Sequence, residues 1–224
     1  MVRAGHGEDR STRERVTRAA VGLFAERGFN GTGIRDIASA AGLTTSTLYH
    51  YMTNKDDLLV EVMLGTITPL RDAALKIISE IDDPSVCLAT LVEHHVWLHA
   101  SDTLGTLVSD TELRALPAER RAQMVRLRDE YERSWHVVIH RGVETGVFDT
   151  LNPDLTARSL VQMATGVSHW FSAGGELSLT RLCHAYSDLA LGLVRASRPG
   201  GVPIRRDDLT LPAPTHYLPD RPAT

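Results

Sequence analysis

Residues 32–55 read Thr-Gly-Ile-Arg-Asp-Ile-Ala-Ser-Ala-Ala-Gly-Leu-Thr-Thr-Ser-Thr-Leu-Tyr-His-Tyr-Met-Thr-Asn-Lys, and this stretch decides the fold. Two short helical patterns flank Gly42. Where the helices cross closely a small residue must sit at the contact, and Ala38 supplies it. The turn between them needs a positive φ, which glycine at 42 adopts without steric cost. An apolar residue must then pin the second helix against the first, and Leu48 has that place. Ile34 and Ile37 line the inner face of the first helix. Thr32 is expected as its N-cap and Thr44 as that of the second. The pattern predicts a helix-turn-helix whose second helix carries hydroxyls, two tyrosines and a histidine toward a DNA groove. The same spacing fits a plain helical hairpin, so the flanks must decide.

Upstream, Val16, Ala19, Ala20, Leu23 and Phe24 form one apolar stripe, which predicts a helix over about 11–27 ended by Gly28. Downstream, a helix is expected from about Asn54, with Asp56 and Asp57 favouring its positive end and Pro69 bending the chain at its far end. Asp82-Asp83-Pro84 closes one helix and opens another over about 85–100, followed by a loop-rich stretch over 102–117. A long helix over 118–145 ends at Gly146. Asn152-Pro153-Asp154 opens a helix to about 172, and the last helix covers 178–197. No strand pattern is visible. An all-α fold is therefore expected, with an N-terminal three-helix helix-turn-helix domain over 10–56. A larger C-terminal helical domain for ligand binding and dimerisation should cover 57–197. Residues 1–9 and the proline-rich tail 198–224 are expected to be disordered.

With its flanks, the head resembles the DNA-binding domain of the TetR/AcrR family of bacterial transcriptional regulators. The resemblance runs from about Arg13 to Val62. It rests on Ala19-Ala20, Leu23-Phe24-Ala25-Glu26-Arg27-Gly28-Phe29, Thr32, Ile34, Asp36-Ile37-Ala38 and Ala41-Gly42-Leu43. It continues through Leu48-Tyr49-His50-Tyr51 and Asn54-Lys55-Asp56-Asp57-Leu58-Leu59. Gly33 and Ser46 depart from the usual residues. The first weakens the opening turn of its helix; the second puts a side chain where glycine is common. The stretches Gly142-Val143-Glu144, Gly146-Val147-Phe148, Asn152-Pro153-Asp154 and Trp170-Phe171 resemble a narrower branch. That branch regulates breakdown of fatty acids, aromatic acids and steroid fragments, and responds to acyl-CoA thioesters. The resemblance implies a ligand-responsive repressor, released from a palindromic operator by a small molecule such as an acyl-CoA or another lipid or acid metabolite. It also implies a homodimer on double-stranded DNA. A metal-dependent enzyme and a ligand-independent DNA-binding protein are the alternatives.

Charge divides in keeping with this reading. The net charge is −4, yet residues 1–56 hold eight Lys/Arg against six Asp/Glu. The modest basic excess lies in the reading head, so affinity should lean on a dimer and on hydrogen bonds as well as on charge. No run of about 18 or more apolar residues is present, so no membrane partner is expected. The N-terminus lacks a basic-then-apolar signal, which points to the cytoplasm. Cys87 and Cys183 lack metal-ligand spacing and are expected as reduced, packed thiols. No nucleophile elbow, metalloprotease helix or phosphate-cradling loop is present, so no enzyme and no cofactor are expected.

Candidate residues follow from these patterns. Thr45, Thr47 and His50 are expected at base edges, and Thr32, Tyr49, Tyr51 and Lys55 at phosphates, with Arg35, Thr44 and Ser46 beside them. The effector pocket is expected among Trp97, Leu98, Met124, Leu127, Tyr131, Trp135 and Met163. Each of these fits ordinary core equally well. Arg120, Arg121, Arg126 and Arg128 fit either CoA phosphates or a solvated face. The dimer interface is expected at Leu160, Ala164, Val167, Tyr186, Leu189 and Leu193. His95/His99 and His136/His140 are i, i+4 pairs that share a metal only if their helices face one another. No nearby cysteine or acidic residue completes a set, so no metal site is expected.

Overall fold

A computed structural model describes residues 4–218, with side chains from residue 9 onward. Nine α-helices are found among the described residues: α1 (Ala4–Arg27), α2 (Ile34–Ala40), α3 (Thr45–Leu48), α4 (Lys55–Glu80), α5 (Pro84–Ser101), α6 (Thr103–Thr111), α7 (Ala118–Glu144), α8 (Pro153–Thr165) and α9 (Leu179–Leu193). Local signals set most of their ends. Gly28, Gly42 and Gly146 take φ of 73°, 67° and 72° just past helices, as C-terminal glycines do. Asp83 and Asn152 accept backbone N–H bonds at the starts of α5 and α8, each ahead of a proline.

The chain divides into two compact units. One holds Met1–Thr66 with Leu104–Val125; the other holds Ile67–Thr103 with Arg126–Thr224. This differs from the split expected near residue 56, because a distant segment joins the reading head. Residues expected as loop instead form α6 and a short 3-10 turn over Glu112–Ala115. Thr66 donates to Ser109 Oγ at 2.9 Å, Arg120 pairs with Asp57, and Leu116 and Met124 are buried. Periodicity misses such a segment, since its partners lie some forty or more residues away. α4 is one continuous helix, with Pro69 inside it rather than at a bend between two helices.

Both ends of the chain depart from the expectation. α1 already begins at Ala4, so residues 4–9 are helical; residues 1–3 lie outside the described residues. Once the packed part of a helix exists, adding polar turns costs little, and Arg10 pairs with Glu14 across the added turn. The tail 198–218 is structured too. Ser197–Arg198 pairs antiparallel with Val202–Pro203, and a 3-10 turn follows at Arg206–Asp208. The expectation for 219–224 lies outside the described residues.

The second unit packs its core around α5, whose residues are buried along most of its length. Cys87, Leu88, Leu91, Val92 and Val96 from α5 join Trp135 and Val138 from α7, Leu160 and Ala164 from α8, and Leu182 and Ala190 from α9. Phe148 folds back over α7 so closely that a Cβ on Gly142 would meet its ring at 1.9 Å. Cys87 and Cys183 are free and buried, and burial pushes both thiols up to about 12, which leaves them inert.

The tail docks because it satisfies groups that α5 buries. Glu93 is 2% exposed and accepts from Arg206 Nε at 2.7 Å and from Ser187 Oγ at 3.3 Å. His94 Nδ1 meets the Pro214 carbonyl at 2.7 Å, and Tyr217 is buried. Removing one partner of a buried ion pair strands the other charge, at a cost of roughly 3–5 kcal/mol. Arg206→Ala should therefore lower unfolding stability by roughly that amount in urea titration, and Glu93→Gln in the same chain should recover part of the loss. Equal stability for Arg206→Ala and wild type would show that the tail is not held by this pair.

Candidate DNA interface and effector-unit core

The reading head is built from two helices too short to stand alone, of seven and four residues. Ala38 and Leu48 are buried where α2 and α3 meet. The turn closes with Leu43 N–H donating to the Ala38 carbonyl at 2.8 Å. Thr44 caps α3 by accepting from Thr47 N–H at 3.1 Å. Its hydroxyl also meets Ser46 Oγ at 2.9 Å and Thr47 Oγ1 at 2.8 Å, so three of the expected contact residues share one hydroxyl network.

Of the expected DNA contacts, Arg35, Thr44, Ser46, Tyr49 and His50 are exposed, while Thr45, Thr47, Tyr51 and Lys55 are half-buried. Thr32 is corrected. Its side chain is buried, and Oγ1 donates to the carbonyls of Gly28 at 2.9 Å and Leu23 at 3.2 Å. It fastens the loop after α1 and is not placed to meet phosphate. Nor is it the N-cap: Gly33 is, with its N–H donating to Asp36 Oδ2 at 3.0 Å. Asp36 thus satisfies the Gly33 N–H, while no side chain caps the opening turn.

Lys55 also has an internal role. Its ammonium donates to the carbonyls of Phe29 at 2.7 Å and Thr32 at 2.8 Å and lies 4.1 Å from the Phe29 ring centre. It joins the first turn of α4 to the loop between α1 and α2. No spacing rule marks this role, because the acceptors are backbone atoms. An open cleft of about 510 Å³ lies beside the Tyr49–Thr53 segment. Its two arginines are already paired, Arg13 with Glu61 at 2.8 Å and Arg120 with Asp57.

In the second unit, the expected pocket residues separate. Tyr131 and Trp135 are fully enclosed in the core, and Trp97, Leu98, Leu127 and Met163 pack half-buried against it. Met124 falls in the other unit and does not join them. Within that core lies a polar string the sequence did not reveal. Tyr131 Oη meets His95 Nδ1 at 2.7 Å, and His95 Nε2 meets Thr165 Oγ1 at 3.2 Å. His99 stacks on His95 at 3.9 Å between ring centres, and its Nδ1 donates to the His95 carbonyl at 3.0 Å. Both His95 nitrogens are taken, and His136 and His140 gather with Asp154 rather than with this pair. A shallow groove of about 310 Å³, lined by Arg71, Leu75, Ile78, Arg133 and Val137 among others, opens on the same unit.

The expected dimer residues are corrected as well. Leu160, Ala164, Val167 and Tyr186 are buried in the protomer's own core, so they cannot line an interface. Leu189 and Leu193 are 55% and 48% exposed. On both helices the regular apolar stripe packs into the core; α9 keeps a second apolar edge at Leu189 and Leu193, while α8 turns Asp154, Arg158, Ser159 and Gln162 outward. The outward set is Leu155, Trp170, Leu189 and Leu193.

Comparison with known proteins places these features. The family of bacterial regulatory proteins named for tetR matches residues 16–62, and the tetracyclin repressor-like C-terminal domain matches residues 82–194. The HTH-type transcriptional repressor KstR2 of Mycobacterium tuberculosis is 29% identical over 196 residues, covering 83% of this chain and 94% of its own. The TetR family regulator PfmR of Thermus thermophilus superposes with a TM-score of 0.73 at 29% identity, over 82% of this chain and 99% of that one. AibR, solved with isovaleryl coenzyme A and operator DNA, superposes with a TM-score of 0.73 at 21% identity, over 83% of this chain and 100% of its own.

Two measurements test this geometry. Lys55→Ala removes two charge-assisted hydrogen bonds and should cost about 2 kcal/mol of stability; an unchanged melting temperature would mean the ammonium does not hold the loop. The histidines set a pH dependence. Burial pulls His95 well below the usual imidazole range, pulls His99 down to about 4, and lowers His94. From about pH 6.5 downward the unfolded chain binds protons that the folded one refuses, so stability should fall as the pH drops from 7 to 5. Urea unfolding at pH 7, 6 and 5 reads this directly, and a flat series would count against neutral buried imidazoles.

Proposed function

This chain belongs to the TetR family of bacterial regulatory proteins, and from that premise we propose how its residues divide the work of a ligand-responsive DNA-binding repressor. The observation that carries the reading is the capped α2–turn–α3 unit with its exposed Arg35, Ser46, Tyr49 and His50. Thr45, Thr47 and His50 read base edges in the major groove, while Arg35, Tyr49 and Tyr51 hold the phosphates.

One α3 covers only a few base pairs. A homodimer therefore reads two half-sites roughly 34–36 Å apart, and the outward Leu155, Trp170, Leu189 and Leu193 supply its apolar contact. The effector binds the second unit beside the polar string of His95, Tyr131 and Thr165. An acyl-CoA thioester or a related acid metabolite is the class favoured by the sequence resemblance. AibR, with its bound isovaleryl coenzyme A, supports that class. α4 and α7 have residues in both units, so the chain itself provides the route by which occupancy reaches the head. Reversing a 1:99 population to 99:1 needs about 5.5 kcal/mol of differential binding between the two states. No helix among the described residues is long and apolar enough to cross a membrane, which suits a cytoplasmic regulator.

Fluorescence anisotropy with fragments from the gene's own neighbourhood tests the DNA roles. Arg35→Ala should weaken all sequences alike and flatten the salt dependence by about one unit of slope. Thr45→Ala should change which half-site is preferred. Indistinguishable profiles for the two variants would reject this division of roles. Titrating the bound complex with acyl-CoAs of increasing chain length should release DNA, whereas free coenzyme A should not. If no acyl-CoA alters operator affinity, the effector class is wrong while the DNA roles stand.

A further inference from the structure

The second histidine pair meets an acidic residue that sequence distance concealed. His136 and His140 lie one turn apart on α7, and Asp154 lies in the first turn of α8. His136 Nδ1 and His140 Nε2 each stand 2.9 Å from the same atom, Asp154 Oδ1. One donor atom from each residue falls within 4.8 Å of the others. These are two imidazole nitrogens and one carboxylate oxygen, converging from two helices of the same unit.

A second observation concerns the back of the site. His136 Nε2 faces Glu132 Oε1 at 3.4 Å, and that oxygen accepts from Arg158 Nε at 3.1 Å. The shorter contact, to Asp154, fits an N–H donated from Nδ1 of the metal-free ring. A metal ion would take the place of that proton, and Glu132 would then receive the N–H on Nε2, as outer carboxylates do for metal-bound imidazoles. His140 Nε2 adds a second nitrogen donor beside the same Asp154 oxygen.

We propose that His136, His140 and Asp154 form a site for one divalent transition cation of the zinc, cobalt or nickel class. The ligand chemistry selects against calcium and magnesium, which take oxygen donors. With Zn–N near 2.0–2.1 Å, tetrahedral donors stand about 3.3 Å apart, so the two 2.9 Å contacts to Asp154 would lengthen by a few tenths of an ångström to admit the ion. Three protein ligands leave a coordination position for water. The ion joins the C-terminal half of α7 to the start of α8, and it stabilises the folded chain by mass action. This site is independent of the effector and of the DNA roles above.

The test uses the untagged full-length protein, stripped with chelator and then titrated with zinc chloride by calorimetry and with cobalt chloride by visible absorption. Wild type should take one ion per chain, show cobalt d–d bands and melt higher with zinc. His140→Ala and Asp154→Asn should each weaken binding at least about tenfold and abolish the zinc-dependent rise in melting temperature. His140 is half-exposed on its helix, so His140→Ala retains the fold and decides the matter if Asp154→Asn does not. No uptake by wild type would overturn the proposal, leaving a proton as the bridging cation. Uptake unchanged in both variants would overturn it equally, since the ion would then be bound elsewhere.

Discussion

A helix of four residues has no stability of its own in water, and the helix-turn-helix of this protein rests on one. α3 exists because Leu48 is fully buried, because Thr44 caps its start, and because α2 offers Ala38 at the contact. α2 in turn depends on a loop that Lys55 fastens through two carbonyls and Thr32 fastens through two more. Two residues expected at phosphates, Thr32 and Lys55, hold the platform on which the exposed residues at α3 stand. The exposed side chains at α3 are thus held in place by burial and hydrogen bonding behind them.

The second unit solves a different problem. Its central helix, α5, carries Glu93, His94, His95 and His99 in buried positions, where unpaired polar groups are costly. Three are met from a distance: Glu93 by Arg206, His94 by Pro214, and His95 by Tyr131 and Thr165; His99 is met within α5 by the His95 carbonyl. The tail is therefore a structural part of this unit, fixed by what α5 would otherwise leave unsatisfied.

The two histidine pairs show how far spacing can mislead. Both are i, i+4 pairs on helices, and in sequence they look equivalent. One is stacked inside the core with its nitrogens committed. The other lies near the surface, facing Asp154 from the next helix with Glu132 behind it. The difference comes from which face of each helix the core claims.

The reading head, the helix starts at Asp83-Pro84 and Asn152-Pro153, and the glycine stops at 28, 42 and 146 were legible in the chain alone. Each is set by residues within one or two turns of one another, where capping and backbone freedom act. The folding of α6 onto the first unit, the docking of residues 198–218, the inward face of α8 and α9, and the meeting of His136 with Asp154 were not. Their partners lie from eighteen to a hundred and twenty residues apart, beyond the reach of local periodicity. Tertiary packing decided these, because burying a charge or an imidazole is tolerable only once its distant partner has arrived.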